Sequence, residues 1–154
     1  MKRTTTHLVM PIELNPYGNL FGGTMMGWMD KIAVILAMER TGNNCVTLFA
    51  DQIKFIKPVT IQEVVDLEAQ IIEEGLTSLL ISVKASKRKT IEPYESRQLV
   101  AESIFKFVAL NKEGKPTDRW MCRKNIEQSK GPSFDLLNGR LSAKKCHSSH
   151  LKPD

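Results

Sequence analysis

Residues 15–30 read NPYGNLFGGTMMGWMD, and the order of residue types in this stretch governs how the rest of the chain is read. A polar loop (Asn15, Pro16, Gly18, Asn19) runs into the pair Gly22-Gly23, and an apolar run then continues to about Arg40. Met25, Trp28 or Met29, Ile32 and Leu36 follow the i, i+3/4, i+7 spacing of a buried helical face. One helix is therefore predicted over 22–40, closed by Thr41-Gly42-Asn43-Asn44 with Gly42 as C-cap. Ala33, Val34 and Ala37 leave the opposite face short of polar groups, and a helix apolar nearly all round is wrapped on several sides. One carboxylate, Asp30, interrupts this run, and a carboxylate there is paired, neutralised or working. The glycine pair lets a ligand approach the backbone closely, since no Cβ intervenes. A helix starting there offers free N–H groups and the positive end of its dipole to an oxygen carrying negative charge.

Outside this stretch the pattern is that of strands. Residues 5–10 suit a short first strand, and segments 45–57, 63–73, 76–89 and 99–111 suit four longer ones. Val65, Leu67, Ala69 and Ile71 alternate with Asp66, Glu68 and Gln70. Leu79, Ile81, Val83 and Ala85 alternate with Ser82, Lys84 and Ser86. Lys57-Pro58, Glu74-Gly75 and the polar stretch 90–97 supply turn chemistry. Strands in series with short links predict an antiparallel meander. A helix of about 19 residues, roughly 28 Å long, can lie within such a curved sheet. The fold class expected is α+β: a hotdog fold, a long central helix wrapped by a five-stranded antiparallel sheet.

Composition narrows the classes of function. The 154 residues are 42% hydrophobic and 25% charged, within the range of one soluble globular domain. No apolar run reaches the roughly 18–20 residues of a membrane span. The first residues, MKRTTTHLVMPIEL, are broken by Pro11 and Glu13 and do not read as a signal peptide. Three cysteines without CxxC spacing fit a reduced, cytoplasmic chain. Residues 1–118 balance 14 Lys/Arg against 14 Asp/Glu, so the net +5 lies wholly in 119–154. That segment is expected to be a basic, loosely ordered extension of a domain spanning 1–118. Trp120 and Phe134 are its only aromatic residues, too few to suggest a nucleic-acid arm. Cys122, Cys146, His147 and His150 in the same segment do not have the order of a metal site, and no metal is expected.

Several segments together resemble the hotdog acyl-CoA thioesterases, in particular the brain-type acyl-CoA hydrolases and their short single-domain bacterial relatives. The likeness is carried by the GNLFGG entry to the helix, Met29-Asp30 in mid-helix, FIKPV at 55–59 and EGLTS at 74–78, and it runs from about Thr5 to Pro116. It implies hydrolysis of a fatty acyl-CoA to coenzyme A and a free acid. It places the family's acidic residue on Asp30, its polar amide on Asn15 and its helix-entry glycine on Gly22. It also implies active sites built across dimers that are often grouped into hexamers. Coenzyme A is part of substrate and product, and no other cofactor is expected.

The chemistry suits these residues. Thioester hydrolysis passes through a tetrahedral species with a negative oxygen, and the N–H groups of Gly22 and Gly23 can stabilise it. One such donor is worth about 3–4 kcal/mol of barrier. Asp30 can act as general base to water, worth about 10²–10⁴-fold, or as a nucleophile giving a mixed anhydride; sequence does not separate the two. Coenzyme A carries phosphates, so Lys57, Lys84, Lys87 and Arg88 are candidate ligands for it. The methionines Met25, Met26, Met29 and Met38 are expected to fill the core rather than line an acyl tunnel. Gly22 and Asp30 stand eight residues apart, about 12 Å along one helix. That is too far for both to touch one thioester, so the glycines of one protomer are expected to meet Asp30 of another. A dehydratase on the same fold would need a histidine in the 15–30 segment, which has none. The competing reading is a non-catalytic acyl-CoA-binding hotdog protein, a sensor or partner module. A sensor would append a helix-turn-helix, and 119–154 does not read as one.

Overall fold

The computed structural model describes residues 1–118. The expected extension 119–154, with its cysteine and histidine residues, lies outside the described residues. The elements run β1 (Lys2–Leu8), α1 (Gly22–Thr41), β2 (Asn44–Phe55), β3 (Glu63–Glu74), β4 (Ser78–Lys89) and β5 (Gln98–Leu110). Every predicted element is present, and β1 is displaced by about three residues toward the N-terminus. The strands form one antiparallel five-stranded sheet, with α1 touching all five strands.

The strand order is β1-β3-β4-β5-β2. The expected meander therefore holds only for β3-β4-β5, and β2 pairs with β5 instead of β3. The link from β2 to β3 makes no hairpin because its backbone is engaged elsewhere. Ile56 N–H and Lys57 N–H donate to Val100 O at 2.7 and 3.3 Å, and Val59 O accepts from Leu20 N–H at 2.7 Å. Both edges of the sheet, β1 and β2, thus come from the first half of the chain.

Alternation places Val65, Leu67, Ala69, Ile81, Val83, Ala85, Phe105 and Phe107 inward, each at most 1% exposed, against Met29, Ile32, Ala33, Leu36 and Ala37 of α1. The helix ends at Gly42, whose φ of 69° is the left-handed conformation that glycine adopts without strain and whose N–H donates to Met38 O at 2.8 Å. The sheet that curves round α1 buries one face of it, so the helix is not covered on all the sides its apolar composition suggested. Met25 and Met29 belong to the core, as read, but Met26 is half-buried and Met38 is 40% exposed, as is Ile35 at 41%. The edge strand β2 also exposes Val46, Leu48 and Phe49, with Val46 and Phe49 opposite the outward residues Val108 and Lys106 of β5. The apolar surface that sequence suggested was covered within one chain is left uncovered by it.

Candidate active site

Asn15 organises the loop that leads into α1. Its Oδ1 accepts from the N–H groups of Tyr17 (2.9 Å) and Asn19 (3.2 Å). Its N–H donates to Asn19 O at 2.7 Å, and its carbonyl accepts from Gly18 N–H at 2.9 Å. The turn needs glycine at position 18, where φ is 78°. Leu20 and Phe21 then anchor the loop on Val59 O and Glu13 O, which fixes where the helix begins. With two N–H groups on Oδ1, that oxygen has both lone pairs engaged, and the remaining capacity of the Asn15 amide is the donor Nδ2. Asn19 closes this turn through its hydrogen bonds to Asn15.

The N-cap of α1 is Phe21, which offers no side-chain acceptor. The N–H groups at Gly22 and Gly23 therefore lie at a helix start that no side chain caps, where donors and dipole favour an anion. Asp30 is half-buried two turns further along the same helix. Its Oδ1 accepts from Thr47 Oγ1 at 2.7 Å. Thr47 belongs to β2, the edge strand, and is itself exposed. Sequence reading missed Thr47: a threonine in a β-branched strand is unremarkable until the register of strand on helix is known. Gly22 and Asp30 share one continuous helix, so the separation of about 12 Å inferred from spacing applies.

The basic candidates divide. Lys57 stands at the rim of a hollow beside Gly22, with Nζ donating to Gln98 Oε1 at 3.3 Å. Lys84 is exposed on the outward side of β4, between Glu68 and Glu102 of the flanking strands. Lys87 Nζ donates to Pro58 O at 2.7 Å and pairs with Glu63 at 3.0 Å. Arg88 Nε pairs with the buried Asp66 at 3.0 Å. Lys87 and Arg88, candidate ligands for coenzyme A, each have a carboxylate partner within the sheet, where they clamp the β2–β3 link and the β1–β3–β4 seam. Burial alone would raise the Glu63 carboxyl, but the Thr60 N–H and Lys87 outweigh it and hold it below the usual value. No group of three or more His, Cys, Asp or Glu side chains that would hold a metal occurs among the described residues.

Residues 17–93 match the family described as the Thioesterase superfamily. The chain belongs to that superfamily. This thioesterase is 36% identical over 110 residues to the acyl-CoA thioester hydrolase YciA of Escherichia coli, covering 71% of its own length and 83% of that protein. Among solved structures it is similar to a hexameric thioesterase from Yersinia pestis (TM-score 0.69, 32% identity, 74% and 91% of the two chains). It is similar also to an acyl-CoA hydrolase from Staphylococcus aureus in complex with butyryl coenzyme A, coenzyme A and coenzyme A disulfide (TM-score 0.71, 28% identity, 84% and 86%). The S. aureus enzyme has further been solved with one aspartate, one asparagine and one threonine each changed to alanine. The one-helix, five-stranded antiparallel architecture is the hotdog fold.

Proposed function

We propose that this chain is an acyl-CoA thioesterase that hydrolyses fatty acyl-CoA to free fatty acid and coenzyme A. The observation that carries the reading is the Asp30 carboxylate, held by Thr47 on the uncovered face of a helix whose first turn is uncapped at Gly22-Gly23. In the S. aureus enzyme the substituted aspartate follows the asparagine by fifteen positions, and the threonine follows the aspartate by seventeen. Asn15, Asp30 and Thr47 stand at the same intervals, which supports giving these three the working roles.

In the mechanism we assign, the carbonyl oxygen of the thioester lies against the N–H groups of Gly22 and Gly23, with Asn15 Nδ2 as a further donor. Water attacks the carbonyl carbon while Asp30 takes its proton, or Asp30 attacks directly and water then cleaves the anhydride. The carbon–sulfur bond breaks and the thiolate of coenzyme A leaves. Negative charge on the carbonyl oxygen develops where preorganised donors are worth the most. The reaction needs water and no cofactor. Since one helix separates the glycines from its own Asp30, the site is completed by Asp30 of the partner subunit in a two-fold dimer. Grouping of three such dimers is supported by the hexameric state of the Y. pestis thioesterase. Lys57 is the basic residue placed to meet coenzyme A at this end of the helix. A cytoplasmic setting goes with this reading and suits the free thiol of Cys45.

The test is release of coenzyme A from short, medium and long acyl-CoA by the wild-type protein and Asp30→Ala. The expected result is turnover lowered by at least about 10²-fold in the variant. Equal rates in the two proteins would refute the enzymatic reading and leave acyl-CoA binding without catalysis.

A further inference from the structure

Residues 56–62, the link from β2 to β3, belong to no strand of the sheet, yet the loop that leads into α1 is built on them. Leu20 N–H donates to Val59 O at 2.7 Å, and Asn19 and Thr60 form an isolated antiparallel bridge. The link is held in turn by side chains of β3 and β4. Lys87 stands opposite Val65, on the side of the sheet that faces α1. Its Nζ donates to Pro58 O at 2.7 Å and pairs with Glu63 Oε1 at 3.0 Å. Glu63 Oε2 accepts from Thr60 N–H at 2.7 Å and from Thr60 Oγ1 at 3.1 Å. The Lys87 and Glu63 side chains are only 17% and 14% exposed, so salt and water screen the pair weakly.

These contacts decide the part Lys87 can take. Its ammonium already donates to Pro58 O and to both oxygens of Glu63, and a phosphate would have to displace them. The contacts lead instead toward the site. Lys87 and Glu63 hold residues 58–60, and these hold Asn19 and Leu20. Asn19 O accepts from Asn15 N–H at 2.7 Å, and α1 begins at Gly22, two residues after Leu20. We propose that Lys87 and Glu63 are positioning residues for hydrolysis: without touching substrate, they set where Asn15 Nδ2 and the N–H groups of Gly22 and Gly23 stand. This rests on the thioesterase reading above. Donors aimed at a developing oxyanion work over a narrow range of distance, and a displacement of about 1 Å costs about 10²-fold in rate. Loosening the link therefore acts on the transition state more than on bound substrate, and falls on kcat.

The experiment combines steady-state kinetics on a short acyl-CoA with hydrogen exchange read by mass spectrometry. The proteins are full-length wild type, Lys87→Met, Lys87→Arg and Glu63→Gln, and the peptides are those spanning 15–22 and those of β3, β4 and β5. Lys87→Met keeps the length of the side chain and removes its donors, so kcat should fall at least about tenfold with KM changed less than about twofold. Exchange in 15–22 should quicken at least about tenfold while the strand peptides keep wild-type protection. Lys87→Arg keeps a charged donor for Pro58 O and Glu63 and should recover most of kcat. Glu63→Gln leaves an oxygen for Thr60 N–H and should move both readouts the same way by less; it decides the matter alone if Lys87→Met does not fold. A raised KM at wild-type kcat would overturn the proposal and make Lys87 a ligand of coenzyme A. Protection lost throughout the sheet would overturn it in favour of stability alone, and so would wild-type kcat and exchange in the variants. Failure of the thioesterase reading shows separately, as a wild-type protein without turnover, because exchange in 15–22 reports on the clamp whether or not substrate is cleaved.

Discussion

Thr47 donates to Oδ1 of Asp30, which fixes the carboxylate in one orientation and, in the proposed mechanism, leaves Oδ2 for the reacting water. A hydrogen bond to a charged group contributes about 1.5–3 kcal/mol, and exposure of Thr47 favours the lower end. Thr47→Val is therefore expected to lower kcat about tenfold with little change in KM, and Thr47→Ser to retain most of the rate. Steady-state kinetics on a short acyl-CoA check this. His7 stacks on Trp28 with ring centres 4.5 Å apart. Burial, joined by Lys31 and opposed by Glu13, holds its imidazole below the ordinary 6.5. The unfolded chain then takes up the proton first, so stability from this group is full above pH 6.5 and declines as pH falls through 6.5 toward the folded value. Glu63, held low, contributes stability above its unfolded value and loses it only at still lower pH, as pH falls through the folded value. Urea midpoints between pH 7.5 and 5.5 should slope downward in the wild type and flatten in His7→Gln. At this scale Asp30, Gly22 and Gly23 were legible as a carboxylate and a helix start, and Asn15 through the family resemblance. Thr47 was not, because the register between β2 and α1 has no trace in local sequence.

The elements themselves follow from periodicity, since period 2 and period 3.6 are written into the order of apolar residues. Gly42 illustrates a stop signal with a structural counterpart, its φ of 69° ending α1. Gly42→Ala is expected to destabilise the fold by about 1 kcal/mol, read from denaturant unfolding, because a Cβ strains the left-handed conformation. Pairing was less legible than existence. Residues 56–62 look like a hairpin link, yet their hydrogen-bonding groups reach Val100 and Leu20, residues distant in sequence. The basic residues of β4 show the same limit: charge is visible in sequence, but the partners Glu63 and Asp66 appear only once β3 lies beside β4.

On the scale of the whole molecule, α1 leaves Ile35 and Met38 exposed on the helix that carries Asp30, and the edge strand β2 that carries Thr47 exposes Val46, Leu48 and Phe49, with Val46 and Phe49 on its side away from α1. In the proposed dimer a second copy covers exposed apolar surface of α1 and supplies the group that completes the site. Mixing Asp30→Ala with Asn15→Ala chains should therefore restore up to about a quarter of wild-type activity, since random pairing makes half the dimers mixed and each mixed dimer has one intact site. Activity that stays at the level of the separate variants, with mixed dimers demonstrated by mass spectrometry, would mean that each chain supplies both groups to its own site.

The place of β2 in the sheet also bears on how the chain is made. Among the described residues its only neighbouring strand is β5, and roughly forty residues separate Phe55 from Gln98. At about 5–20 residues per second, a ribosome extrudes β2 several seconds before the strand that closes it. For that interval an apolar ribbon with a free edge is open to any other nascent segment. β5 is thus the latch for a strand made well before it, and slow translation between residues 56 and 97 is where losses to misassembly during synthesis should concentrate.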